Sequence, residues 1–214
     1  MKKLLLHPMF MTGLVFRLVL IICMAPLAVT DWYAPFLDVS TSVPTMDPWS
    51  AWIASGGTHI AFPYGYAMWV AFLPMTLVAK FIGLPLLYAY QLTLLVADFC
   101  LLLTLRRLLP DRDRLLLLAY WLSPIVILAS YGLGLNDLNP VLLLCLSIVF
   151  LRQIRLKLVG ALLAAAISAK LSMIVALPFF AIYLFNNRAL RKLLPNFIWG
   201  FGLSIFLLGG PFFV

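Results

Sequence analysis

Residues 31–63 read DWYAPFLDVSTSVPTMDPWSAWIASGGTHIAFP, and the reading of this stretch decides the fold. It is a polar interruption between two long apolar regions. It holds Asp31, Asp38 and Asp47, three of the seven acidic residues of the chain, and no Lys or Arg. It is expected to be a long acidic loop. An acidic loop tied to the first spanning helix is where chemistry on the non-cytoplasmic face would sit.

The sequence on both sides is mostly hydrocarbon. Hydrophobic residues make up 65% of the 214 residues and charged residues 10%, where a soluble domain is nearer half and a quarter. The expected class is therefore an all-α, polytopic integral membrane protein. An excess of 15 Lys and Arg over 7 acids gives a net charge of +8. These cations fall in short clusters between apolar runs, the pattern of cytoplasmic loops facing anionic headgroups. With no zinc-finger, Walker or helix-turn-helix spacing, a nucleic-acid partner is not expected. Cys23, Cys100 and Cys145 lie in apolar runs without a CxxC pair and read as packing residues.

Topology follows from charge. Residues 1–30 carry the first transmembrane helix, over residues 9–30, read as an uncleaved signal anchor. Its length is about 33 Å at 1.5 Å per residue. Lys2 and Lys3 place the N-terminus in the cytoplasm and residues 31–63 outside. Basic clusters at Arg106–Arg114, Arg152–Lys157 and Arg188–Lys192 belong inside by the same rule. Two full crossings between residue 63 and Arg106 would break that parity. Residues 64–83, with Pro74, Lys80 and several aromatics, are therefore expected to be interfacial or re-entrant. Residues 84–214 then supply the remaining transmembrane helices of a single membrane domain: 86–108, 115–130, 140–151, 158–169, 172–185 and 194–214. Several are short, and the turns between them, at 131–139 and near Lys170, should line a cavity open to the outside.

Candidate chemistry follows from isolated charges in apolar sequence. Asp31, directly after the first helix, reads as a general base at a cavity mouth or as a solvated helix end. Asp38 and His59 are weaker loop candidates, and Asp47 before Pro48 reads as turn-forming. Asn136 and Asp137 sit at a turn deep in apolar sequence, where an acid is functional or caps the following helix. Lys170 interrupts LLAAAISAKLSMIVALP and needs an anion, either Asp137 or a substrate phosphate. Arg17 and Asp98 lie each about eight residues from the cytoplasmic end of its helix, at a shared depth of about 12 Å. A structural ion pair between them is expected. A hard divalent cation would find oxygen ligands in Asp31, Asp38 or Asp47, although no spacing demands one.

Three stretches together carry a resemblance. Arg17 in the first helix leads to the early aspartate of TDWYAPFLD. AFPYGYAMWVAFLP follows, bringing Tyr64. Then come WLSPIVILASYGLGLND, residues 121–137, and the ASAK-like ISAK ending at Lys170. The order and spacing resemble the GT-C superfamily of polyprenyl-phosphate-sugar-dependent glycosyltransferases, particularly the mannosyltransferases of glycosylphosphatidylinositol assembly and their bacterial relatives. The resemblance implies Asp31 as the catalytic base, with Lys170, Asn136 and Asp137 facing the donor phosphate. Asp38, His59 and Tyr64 are further substrate contacts. The partners it implies are a polyprenyl-phosphate sugar, plausibly of mannose, a lipid or glycan acceptor, and membrane lipids. The active face would be external, in the plasma membrane of a bacterium or the endoplasmic reticulum of a eukaryote. The family's D-x-D-like pair is absent, because Asp31 and Asp38 are seven apart. Family members are commonly longer, so this chain is expected to supply the catalytic half, as a fragment, a shortened member or one subunit of a polytopic pair. The rival expectations are a lipid or lipid-linked-sugar transporter and a non-catalytic subunit of a larger glycosyltransferase.

Overall fold

A computed structural model describes residues 2–42 and 45–209, with the side chains of Lys2 and Lys3 left out. It is all-helical, about 80% helix, and contains no strand among the described residues. Its contacts divide into two compact units: residues 1–63 with 72–138, and residues 64–71 with 139–214.

The first unit begins with α1, Pro8–Cys23, whose N-cap His7 accepts from the amide of Met9. The helix expected over residues 9–30 stops here. Pro26 supplies no amide hydrogen, so residues 24–26 run extended before the chain turns helical again. The stretch 31–63 is not a long loop. A π-helical turn, Val29–Tyr33, runs straight into α2, Ala34–Ser42, and Pro48–Ala54 forms α3. The reason is a helical stripe: Tyr33, Phe36, Leu37 and Ser40 recur at i, i+3, i+4 and i+7, and all four are buried.

Aromatic stacking fixes that stripe. Phe36 stacks on Phe62 at 4.4 Å between ring centroids, and Tyr33 stacks on Tyr90 at 5.3 Å. Phe72 stacks on Tyr90 from another side at 4.5 Å. Five buried rings thus bind the acidic segment to α4, Tyr66–Ile82, and α5, Leu86–Leu108. Each such pair adds roughly 0.5–1.5 kcal/mol beyond its buried area. Residues 64–83, expected as an interfacial segment, form in α4 a 17-residue helix that continues through Pro74.

The riser expected over 115–130 is broken. Asp113–Trp121, α6, and Pro124–Gly132, α7, meet at a bend of 49°. The break falls where Ser123 precedes Pro124, a pairing that disfavours helical backbone at the first residue. Each half ends in a π-helical turn, Leu117–Trp121 and Leu128–Gly132.

In the second unit, α8 (Leu138–Arg152), α9 (Leu156–Ala169), α10 (Ala176–Asn186) and α11 (Leu194–Gly209) follow in order. A 3₁₀ turn, Leu171–Val175, opens the segment expected at 172–185. Helices α9 and α11 cross through glycines. A Cβ on Gly160 would meet the Phe197 carbonyl at 2.3 Å, and one on Gly200 would meet the Lys157 carbonyl at 2.0 Å. Only glycine permits backbones this close.

Among the described residues, one helix, Leu86–Leu108, is long and apolar enough to cross a membrane, and the bent α6–α7 pair would make a second if it is one span. Six shorter apolar helices accompany them. At 16 residues, α1 is about 24 Å long, against a hydrocarbon core of about 30 Å.

Candidate functional site

In α2 the buried stripe faces the aromatic core, which leaves Asp31 and Asp38 exposed on the other side. Asp31 lies in the π-helical turn and Asp38 in the α-helix that follows it. Between residues 30–38 and 79–87 lies an open groove of about 640 Å³. Thr30 lines it and donates its hydroxyl to Asp31 Oδ1 at 2.9 Å.

Asp38 pairs with Lys80, Nζ to Oδ1 2.8 Å. The same ammonium donates to the Asp38 carbonyl and to Ser42 Oγ, both at 2.7 Å. All three hydrogens of Lys80 are therefore engaged. Asp47 is the N-cap of α3, accepting from the amides of Trp49 and Ser50 at 3.2 and 3.1 Å. The Ser50 hydroxyl bonds the same carboxylate and, with those amides, holds its pKa below the ordinary carboxylate value. His59 is exposed at the end of the same stretch.

The 131–139 turn is docked beside Asp31. Gly134, at φ +75°, packs so closely that a Cβ would sit 2.4 Å from Val29 and 3.2 Å from Pro26. Its carbonyl accepts the Tyr90 hydroxyl at 2.8 Å. Val29 is two residues before Asp31 and Gly134 two before Asn136, so the candidate base and the Asn136–Asp137 turn belong to one neighbourhood. Asp137 is half-buried. Asn136 is fully buried, and neither its amide nitrogen nor its amide oxygen has a partner among the described residues. Gln91, next to Tyr90 on α5, has the same unmet amide at zero exposure. Sequence reading passed over Gln91, although a carboxamide in an apolar span is itself a signal.

The second unit carries Tyr64 and Lys170. Lys170, half-buried, sits in extended conformation where α9 ends. The amide of Gly65 donates to the Ser168 carbonyl at 2.9 Å, and the amide of Ala67 to the Ser168 hydroxyl at 3.3 Å. A Cβ on Gly65 would collide with that carbonyl at 2.4 Å. The backbone thus brings the residues after Tyr64 against the helix end that presents Lys170.

Arg17 and Asp98 meet at 2.6 Å, Nε to Oδ2, both at zero side-chain exposure. The cluster is larger than a pair. Tyr120 and Tyr131 donate their hydroxyls to Asp98, Tyr131 at 2.9 Å. Arg17 Nη1 donates to the Trp121 and Gly13 carbonyls at 2.7 and 3.0 Å, and the guanidinium lies 3.8 Å above the Trp121 ring. The two π-helical turns swing these aromatics inward. The assembly ties α1, α5 and the broken α6–α7 together around a buried ion pair.

Among the described residues, no group of three or more His, Cys, Asp or Glu side chains gathers to hold a metal ion. The chain matches no protein-family model, no curated protein and no solved structure.

Proposed function

We propose that the protein is a polytopic membrane glycosyltransferase, moving a sugar, plausibly mannose, from a polyprenyl-phosphate donor to a lipid or glycan acceptor on the external face. The observation that carries this reading is the placement of Asp31. It is an exposed carboxylate next to Thr30, which lines a groove, and two residues after Val29, against which Gly134 packs. In the reaction, the Asp31 carboxylate takes the proton of an acceptor hydroxyl as that oxygen bonds to the anomeric carbon. The bond from that carbon to the donor phosphate oxygen breaks, and the lipid phosphate leaves with the electron pair. The proton then passes from Asp31 to water. A developing anion on that phosphate needs fixed positive charge, the role the resemblance implies for Lys170.

Asp31→Asn in membranes supplied with a polyprenyl-phosphate sugar is expected to lower transfer at least a hundredfold, the usual scale of a general base, with protein level unchanged. Transfer at the wild-type rate would sink the role of Asp31. The 49° break between α6 and α7 favours a second reading, a lipid-linked-sugar transporter, because broken helices are the usual device of alternating access. Proteoliposomes that move labelled lipid without forming a glycosidic product would select it.

A further inference from the structure

The charge of this chain is divided between its units. Residues 64–71 and 139–214 contain no Asp or Glu, while Arg152, Arg155, Lys157, Lys170, Arg188, Arg191 and Lys192 all lie there. The second unit therefore holds seven cations that it cannot neutralise with acids of its own. Six of them fall in two short segments, 152–157 and 188–192.

The first of these segments lines a pocket. The pocket, of about 290 Å³, is lined by Ile154, Arg155, Leu156, Lys157 and Leu158 from the α8–α9 connection and by Asn196 from the first turn of α11. Arg155 and Lys157 are exposed, and so are Ile154 and Leu158. Apolar and cationic side chains thus stand together at the same surface. Ile154 also has φ +58°, a left-handed conformation that a β-branched residue adopts only under strain. That backbone turns Ile154 outward and leads Arg155 into the pocket.

We infer that this pocket binds the headgroup of an anionic phospholipid of the bilayer. The phosphodiester sits between the Arg155 guanidinium and the Lys157 ammonium, the Asn196 carboxamide donates to an ester or glycerol oxygen, and the acyl chains leave past Ile154 and Leu158. Two observations commit the site to a lipid. Every charge in the lining is positive, in a unit without acids, so the occupant is an anion. The exposed Ile154 and Leu158 beside those cations would be idle against a free phosphate or a nucleic-acid backbone, but match an amphiphile. The inference rests on the membrane reading above and is independent of the transferase chemistry.

The test uses the full chain in mixed phosphatidylcholine–phosphatidylglycerol vesicles, with retained lipid read by native mass spectrometry after detergent extraction. Each basic residue near an anionic surface gives roughly a fivefold preference, so two cations, screened by salt, should enrich phosphatidylglycerol about tenfold. Arg155→Gln with Lys157→Gln should return the retained lipid to the vesicle composition. Lys157→Arg should keep the enrichment, and Arg107→Gln, an exposed cation of the first unit, should leave it unchanged. Equal enrichment in wild type and the double Gln variant, or none in wild type, overturns the site. Displacement of the lipid by inorganic phosphate or an oligonucleotide also overturns it, because the anion alone would then be the ligand. Release of the protein from membranes by alkaline carbonate would instead refute the membrane reading, and is scored separately.

Discussion

Removing both members of the buried Arg17–Asp98 pair should destabilise the protein by much less than the two single removals added together. Asp98→Leu leaves the Arg17 guanidinium charged at zero exposure, with the Trp121 and Gly13 carbonyls as its only remaining hydrogen-bond partners. Stranding a buried charge costs about 3–5 kcal/mol. The Tyr120 and Tyr131 hydroxyls lose their shared acceptor as well, at about 1–3 kcal/mol each where nothing replaces it. Arg17→Met is milder, because Asp98 keeps both tyrosine donors; a loss of about 3 kcal/mol is expected. In the double variant no charge remains in the interior. Apolar replacement of a buried pair is often neutral, so the residual cost is the unpaired tyrosines and the Trp121 carbonyl, at least about 3 kcal/mol together. The two single losses therefore sum to more than the double, with a coupling of about 3 kcal/mol or more. Unfolding in detergent micelles, followed by tryptophan fluorescence, reads this well, since Trp121 lies directly under the guanidinium. Additive losses in the two singles and the double would refute the account of this cluster as one charge-balanced unit.

Two further outcomes concern local geometry. Gly200→Val should push α11 off α9, since even a first carbon falls 2.0 Å from the Lys157 carbonyl; a loss of about 1–3 kcal/mol is expected, and unchanged thermal stability would contradict the close crossing. Asp47 supports α3 through a carboxylate whose pKa is lowered by the Ser50 hydroxyl and its cap amides. A group lowered on folding stabilises the protein above its unfolded value near 3.8, and that contribution disappears as pH falls through the folded value. Asp47→Ala should cost about 0.5–1 kcal/mol at neutral pH and flatten this part of the acid profile, checked by unfolding at stepped pH.

The all-helical class was legible because 65% apolar composition leaves the backbone few other ways to satisfy its own hydrogen bonds in a hydrocarbon setting. The meeting of Arg17 and Asp98 was legible too, since equal depth in two apolar helices leaves each charge little else to pair with. Their tyrosine partners were not, because a π-helical turn shifts the helical phase and moves Tyr120 and Tyr131 out of the position that a regular period assigns. The reading of residues 31–63 as a loop gave weight to its acidic and polar residues and overlooked the Tyr33, Phe36, Leu37, Ser40 stripe, which carried the helical signal openly. The Asp38–Lys80 contact spans 42 residues and leaves no trace in local periodicity. Around Asp31, sequence indicated which residues to examine, while the docking of Gly134 on Pro26 and Val29 depended on a positive-φ glycine that only the folded backbone reveals.

Lys80 spends all its hydrogens on Asp38 and Ser42, and this sets how the groove beside Asp31 greets a visitor. Its rim carries a dipole with no spare donor, so the paired charges cancel within a few ångströms and project almost no attraction into solution. An arriving molecule meets apolar side chains, the Thr30 hydroxyl and the unused lone pairs of Asp38. Admission is therefore governed by contour and by offered hydroxyl or amine hydrogens, and a negatively charged head finds nothing there to hold.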